Sequence, residues 1–131
     1  MTKPRIELTD IFHDQAEFMK AGDQTIGEFN ASQKLLYQRL IREEYKEFFI
    51  AVEYEPLENQ IKEANDMLVV ITGWLHSVMP KAHKSWKLVN ENNMLKVENP
   101  PVKDEHGKIM KSEEAIKSKS TMMKLLKELV K

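Results

Sequence analysis

REEYKEFF, residues 42–49, decides how the chain is read. The stretch is made of helix formers and contains no breaker, so it belongs to a helix. It sits inside a longer run, ASQKLLYQRLIREEYKEFFIAV, that continues the same pattern. At about 100° per residue the apolar arc of that helix collects Leu36, Leu40, Ala51, Tyr37, Phe48, Ile41 and Val52. Glu44 falls in the middle of this arc. Glu47 lies between Leu36 and Leu40, and Glu43 sits at the edge. A helix bundle puts leucines at such positions, so these acids require a reason.

The elements on either side of this helix give a start to that reason. Asn30 followed by Gln33 has the spacing of a capping box, which starts this helix near residue 31 and lets it run to about Val52. Pro56 marks the first turn of the next helix, where a missing N–H costs nothing. Leu57, Ile61, Ala64, Leu68, Ile71, Leu75 and Val78 then recur with a period of 3.6. In projection Glu63 lies between Val70 and Trp74, and Asp66 borders the same arc. Two consecutive helices thus each carry acids three residues apart on, or beside, an apolar face.

Further out, a first helix is expected over residues 5–21, anchored by Ile11, Phe12, Phe18 and Met19 and ended by Gly22. GDQTIGEFN follows as a loop. A fourth helix is expected over 81–97, with Ala82, Trp86, Val89 and Val97 on one stripe. Residues 98–111 read as a loop with a turn at His106-Gly107. A last amphipathic helix occupies 112–131, roughly 113–130, using Ile116, Met122, Leu125, Leu126 and Leu129. Gly73 beside Trp74 predicts a close helix approach, and the two tryptophans read as core or interface residues.

The expected fold is therefore all-α: an antiparallel bundle of four to five helices, in a single domain over 1–131 with core 5–97. The 131 residues suit one domain, and 41% hydrophobic with 31% charged content is globular rather than disordered. Net charge is −1, which argues against a general nucleic-acid binder; such a protein needs a basic face. The late lysines Lys117, Lys119, Lys124, Lys127 and Lys131 read as a solvated helix face. Cysteine is absent, which excludes thiolate chemistry. Neither a signal-like segment nor an apolar run of membrane length is present, so a cytoplasmic protein with no membrane partner is expected.

Unpaired buried carboxylates are very costly. Lys62 can pair with Asp66 at i+4, and Arg42 or Lys46 can flank the first cluster, but these bases point mostly outward. Acids converging without matching internal bases suit a hard divalent cation. Mg²⁺ takes oxygen ligands and keeps several waters, leaving room for substrate phosphates. A single Glu-x-x-Glu is an ordinary surface pattern; two of them on consecutive apolar arcs are not. An iron–carboxylate bundle would want Glu-x-x-His pairs. None of His13, His76, His83 or His106 follows a Glu by three residues.

With these residues in place the sequence resembles a known group. Glu43-Glu44-Tyr45-Lys46-Glu47 and Glu63-Ala64-Asn65-Asp66 match the Glu-Glu-x-x-Glu … Glu-x-x-Asp pattern of the MazG-like all-α nucleoside triphosphate pyrophosphohydrolases. That superfamily includes dimeric dUTPases and phosphoribosyl-ATP pyrophosphohydrolase. VNENNMLK (89–96) and EHGKIMK (105–111) resemble a second block of the small MazG-like and dUTPase-like branch. Leu95 stands where Ser is common there, and His106 where an Asp is expected. The similarity covers about residues 10–111.

The resemblance implies hydrolysis of a (d)NTP between its α and β phosphates, in nucleotide-pool housekeeping. It implies Mg²⁺, with Mn²⁺ as a substitute, held by Glu44, Glu47, Glu63 and Asp66. Glu43 would orient or deprotonate the attacking water, with Glu47 able to share the task. Asn93 and Lys96 would contact phosphate or sugar, and Lys108 and Lys111 could close over the triphosphate. Phe12, His13, Gln15, Phe18 and Asn65 are candidates for the base or sugar, although Phe18 reads more simply as core. A homodimer or homotetramer is expected. The competing readings are a phosphoribosyl-ATP-type pyrophosphohydrolase and a non-enzymatic helical interaction module.

Overall fold

The computed structural model describes residues 9–97 and 101–130. These residues form five helices: α1 (Ile11–Ala21), α2 (Ala31–Tyr54), α3 (Leu57–Val78), α4 (Ala82–Met94) and α5 (Glu113–Leu129). The all-α expectation holds. The chain divides into two compact units, residues 1–78 and 79–131.

In the first unit α2 and α3 form a long hairpin, and α1 packs on α3. The Pro56 carbonyl accepts from the amides of Asn59 and Gln60, so Pro56 sits one position ahead of the helix, at its cap. Asn30 caps α2 by accepting from the Gln33 amide at 3.0 Å. The reciprocal half of the expected capping box is not made. The Gln33 side chain turns instead to Thr25 and Ser77.

Two features of α1 differ from the sequence reading. The helix begins at Ile11 rather than near residue 5, because the Asp10 carboxylate accepts from the amides of Phe12 and His13 and stops the helix there. Residues 5–8 of the expected helix lie outside the described residues. Phe18, expected in the core, is 64% exposed. It lies 100° round the helix from Met19, which is fully buried and takes the core position.

The core of this unit is Met19, Tyr37 and Val70, bordered by Ile26, Leu40, Ile41 and Trp74. Gly73 makes it possible. A Cβ at that position would lie 2.1 Å from the Tyr37 ring, far inside contact distance. The close approach expected of Gly73 is real, and Tyr37 is what it admits. The apolar stripe of α3 behaves otherwise than a core stripe: Leu57, Ile61, Leu68 and Ile71 are exposed. The side of α3 turned inward carries Glu63, Val70, Gly73 and Ser77.

In the second unit α4 packs on α5. α4 ends at Met94, three residues earlier than expected. The amides of Lys96 and Val97 bond to the carbonyls of Asn93 and Met94, tightening the chain out of the helix. Of the expected α4 stripe, Ala82 is buried, Val89 half-buried and Trp86 exposed. Within the expected loop, residues 102–110 form a small hairpin. Lys103 bridges Ile109, and the Met110 amide donates to the Val102 carbonyl at 2.7 Å. Asp104 accepts from the amides of His106 and Lys108, and Gly107 takes φ +83°, so the turn stands where the sequence put it. Residues 98–100 of that loop and Lys131 lie outside the described residues. Ser112 caps α5 through the Ala115 amide and donates to the Leu95 carbonyl.

Candidate metal centre

The α2–α3 seam brings Glu44, Glu63 and Asp66 together. Each offers a carboxylate oxygen within 4.8 Å of the others, and all three side chains are half-buried. Glu44 and Glu63 reach one another because the hairpin runs antiparallel and both occupy inward-facing positions. Asp66 joins them from one turn further along α3.

Like charges so close need compensation, and among the described residues Lys62 supplies part of it. Lys62 Nζ lies 2.8 Å from Asp66 Oδ2 and 3.3 Å from Glu63 Oε1. Glu44 Oε2 and Glu63 Oε2 are buried atoms with no hydrogen-bond partner. Burial pushes the Glu44 carboxyl up from an ordinary 4.5 to about 7, and repulsion from Glu47, Asp66 and Glu63 adds to the shift. Three carboxylates gathered this closely, two of them with an unpartnered oxygen, have the chemistry of ligands for a hard divalent cation. The residues present fit such an ion.

The other candidates are placed as follows. Glu43 and Glu47 are exposed on α2, and Glu47 is near enough to Glu44 to raise its pKa. Asn65 is exposed and donates to the Ile61 carbonyl. His13 is exposed beside Asp14 and Glu17. Phe12 is half-buried with its ring edge-on to His76, whose Nε2 bonds the Phe12 carbonyl at 2.8 Å. Gln15 is 4% exposed, and its amide donates to Tyr37 Oη.

In the second unit Asn93, Lys108 and Lys111 are exposed and Lys96 is half-buried. Asn92, which the sequence reading passed over, holds Ser118 of α5 by a hydrogen bond and lines an open cleft with Leu88, Leu95, Met122 and Leu125.

A polar network at the other end of the α2–α3 seam was also missed. Gln33 Nε2 donates to Ser77 Oγ at 2.8 Å and to the Thr25 carbonyl at 2.6 Å, while its Oε1 accepts from the Thr25 amide at 2.9 Å. Asn30 Nδ2 donates to Thr25 Oγ1, and the Asn30 amide donates to the Ser77 carbonyl. Tyr37 Oη donates to Gln24 Oε1 at 2.5 Å. This network pins the 22–30 loop to the hairpin. The signal in the sequence was one glutamine, Gln33, and one serine, Ser77, at seam positions.

The sequence matches the phosphoribosyl-ATP pyrophosphohydrolase family over residues 6–91, well over half of the chain. The match spans Glu43, Glu44, Glu47, Glu63 and Asp66. No curated protein and no solved structure matches. The chain belongs to the phosphoribosyl-ATP pyrophosphohydrolase family, within the MazG-like all-α superfamily.

Proposed function

We propose that this member of a family of pyrophosphohydrolases, which are hydrolases of phosphoric anhydride bonds, converts a (d)NTP and water to the (d)NMP and pyrophosphate. The single observation that carries the reading is the Glu44–Glu63–Asp66 cluster, whose oxygens converge within 4.8 Å. Glu44, Glu63 and Asp66, with Glu47, would hold Mg²⁺ or Mn²⁺. When bound, a divalent cation neutralises triphosphate charge and polarises a phosphoryl oxygen. Glu43, one turn before Glu47 on the exposed side of α2, orients the attacking water and accepts its proton, with Glu47 able to share that step. Asn93, Lys96, Lys108 and Lys111 are proposed as phosphate and sugar contacts, and Phe12, His13, Gln15 and Asn65 as contacts toward the nucleoside.

The choice of a (d)NTP over phosphoribosyl-ATP rests on the block from 89 to 111. The family match stops at residue 91, and the VNENNMLK and EHGKIMK segments resemble the small MazG-like branch. The family's own description favours phosphoribosyl-ATP as the second reading. The exposed Leu57, Ile61, Leu68 and Ile71 of α3 support assembly as a homo-oligomer. Among the described residues no helix is long and apolar enough to cross a membrane.

The test is pyrophosphate release from a panel of NTPs, dNTPs and phosphoribosyl-ATP, with Mg²⁺ and with EDTA, alongside Glu44→Gln and Glu63→Gln. The expected result is Mg²⁺-dependent release from one or more (d)NTPs, lost in both variants. Release from phosphoribosyl-ATP alone would select the second reading. Release from nothing, with no divalent binding, would leave a helical interaction module.

A further inference from the structure

The Lys62 ammonium lies against the same carboxylates that the proposed function gives to a cation. Its Nζ is 2.8 Å from Asp66 Oδ2 and 3.3 Å from Glu63 Oε1. The acids are held well, with side-chain exposures of 14% for Glu63 and 34% for Asp66. The lysine is held poorly: its side chain is 67% exposed, so it meets the cluster from the solvent side on a flexible stem. It satisfies only part of the cluster, since Glu63 Oε2 and Glu44 Oε2 keep no partner.

We propose that Lys62 is a resident competitor for the divalent cation: its ammonium keeps Glu63 and Asp66 together and is displaced from them when the ion is taken up. The inference rests on reading Glu44, Glu63 and Asp66 as the ion's ligands. An oxygen that gives its lone pair to a divalent ion is a weaker partner for an ammonium. A positive charge some 3 Å away from that oxygen is repelled by the ion. Glu63 and Asp66 are fixed by α3 and by the seam, whereas Lys62 is free to turn into water. The lysine is therefore the group that moves. Its contribution is to position the two acids, and its cost is a weaker hold on the ion.

The experiment uses EDTA-treated full-length protein and Mn²⁺ alone as the probe. Free Mn²⁺ is followed by its EPR signal during titration of the wild type, Lys62→Met and Lys46→Met. Lys46 is exposed on α2 and controls for the loss of one positive charge. Lys62→Met is expected to bind Mn²⁺ about two- to fivefold more tightly, the size of one exposed ion pair lost in competition. Lys46→Met should change binding by less than about twofold. A second readout is acylation of the Lys62 amine by an N-hydroxysuccinimide ester, followed by mass spectrometry. Saturating Mn²⁺ should speed acylation of Lys62 and leave Lys46 unchanged.

Equal or weaker Mn²⁺ binding by Lys62→Met would overturn the proposal, as would slower or unchanged acylation of Lys62 in Mn²⁺. If the wild type and both variants fail to bind Mn²⁺ at all, the metal centre itself is refuted and the role of Lys62 falls with it. If all three bind equally, the centre stands and only the role of Lys62 is lost.

Discussion

Two polar regions share the α2–α3 seam, and they have opposite character. Near Ser77 the Gln33 amide has found its partners: it bonds to Ser77 and, twice, to Thr25. Near Glu63 three acids gather, Glu44 and Glu63 each keep an unpartnered oxygen, and the exposed Lys62 lies beside Glu63 and Asp66. Ser77 lies fourteen positions beyond Glu63 on the same side of α3. Polarity in a seam is thus two different things. A closed network holds loops and helices in register. A set of like charges left open has a stability cost, which the proposed cation would offset.

Substitutions should separate the two regions. Glu63→Gln is expected to lower pyrophosphate release by at least about 100-fold. It should leave the melting temperature in EDTA unchanged or raised, since it removes repulsion. A large fall in melting temperature would mean that Glu63 belongs with the structural region. Gly73→Ala should do the reverse. Its methyl meets the Tyr37 ring at 2.1 Å, so about 1–3 kcal/mol of stability should go, read as a lower urea midpoint. Mn²⁺ binding by the fraction still folded should persist.

Ser77→Ala is a smaller change of the same sign. Gln33 Nε2 keeps the Thr25 carbonyl, so the loss should be about 1 kcal/mol in the same urea assay. The mildest contrast is in pH. The folded-state pKa of Glu44 is raised to about 7, above an ordinary 4.5, so the folded chain holds this proton more tightly than the unfolded chain. Stability from this group is present in full below about 4.5 and is lost as pH rises through about 7. In EDTA, melting should show this downward contribution with rising pH, and Glu44→Gln should remove it. Mn²⁺ affinity should climb over the same window, because binding releases the proton.

Much of the acidic region was legible in the sequence. Projection alone put Glu44 inside its arc, Glu63 between Val70 and Trp74, and Lys62 one turn from Asp66. These are local facts of helix geometry, and α2 formed where its Asn30 cap said it would. The closed network was not legible. Gln33 finds Thr25 and Ser77 through a loop whose path no periodicity encodes. The regular stripe of α3 left a different question open. It marks apolar surface, and nothing in a single sequence says whether its own chain or a second copy covers that surface. Phe18 was misplaced for a related reason: one residue separates it from Met19, and 100° separates core from solvent. The division of the chain at Val78 and Met79 carries no composition signal and becomes visible only in the contacts.

The tight corner at Glu55 and Pro56 has one more consequence, and it is kinetic. The proposed ligands from Glu44 to Asp66 all lie on one hairpin, so their assembly requires closing only a short stretch of chain. Local pairings of this kind form early in folding. The centre can then exist as soon as the hairpin does, before the rest of the chain is in place. An ion captured at that stage would act on the rate of folding as well as on the stability of the finished protein.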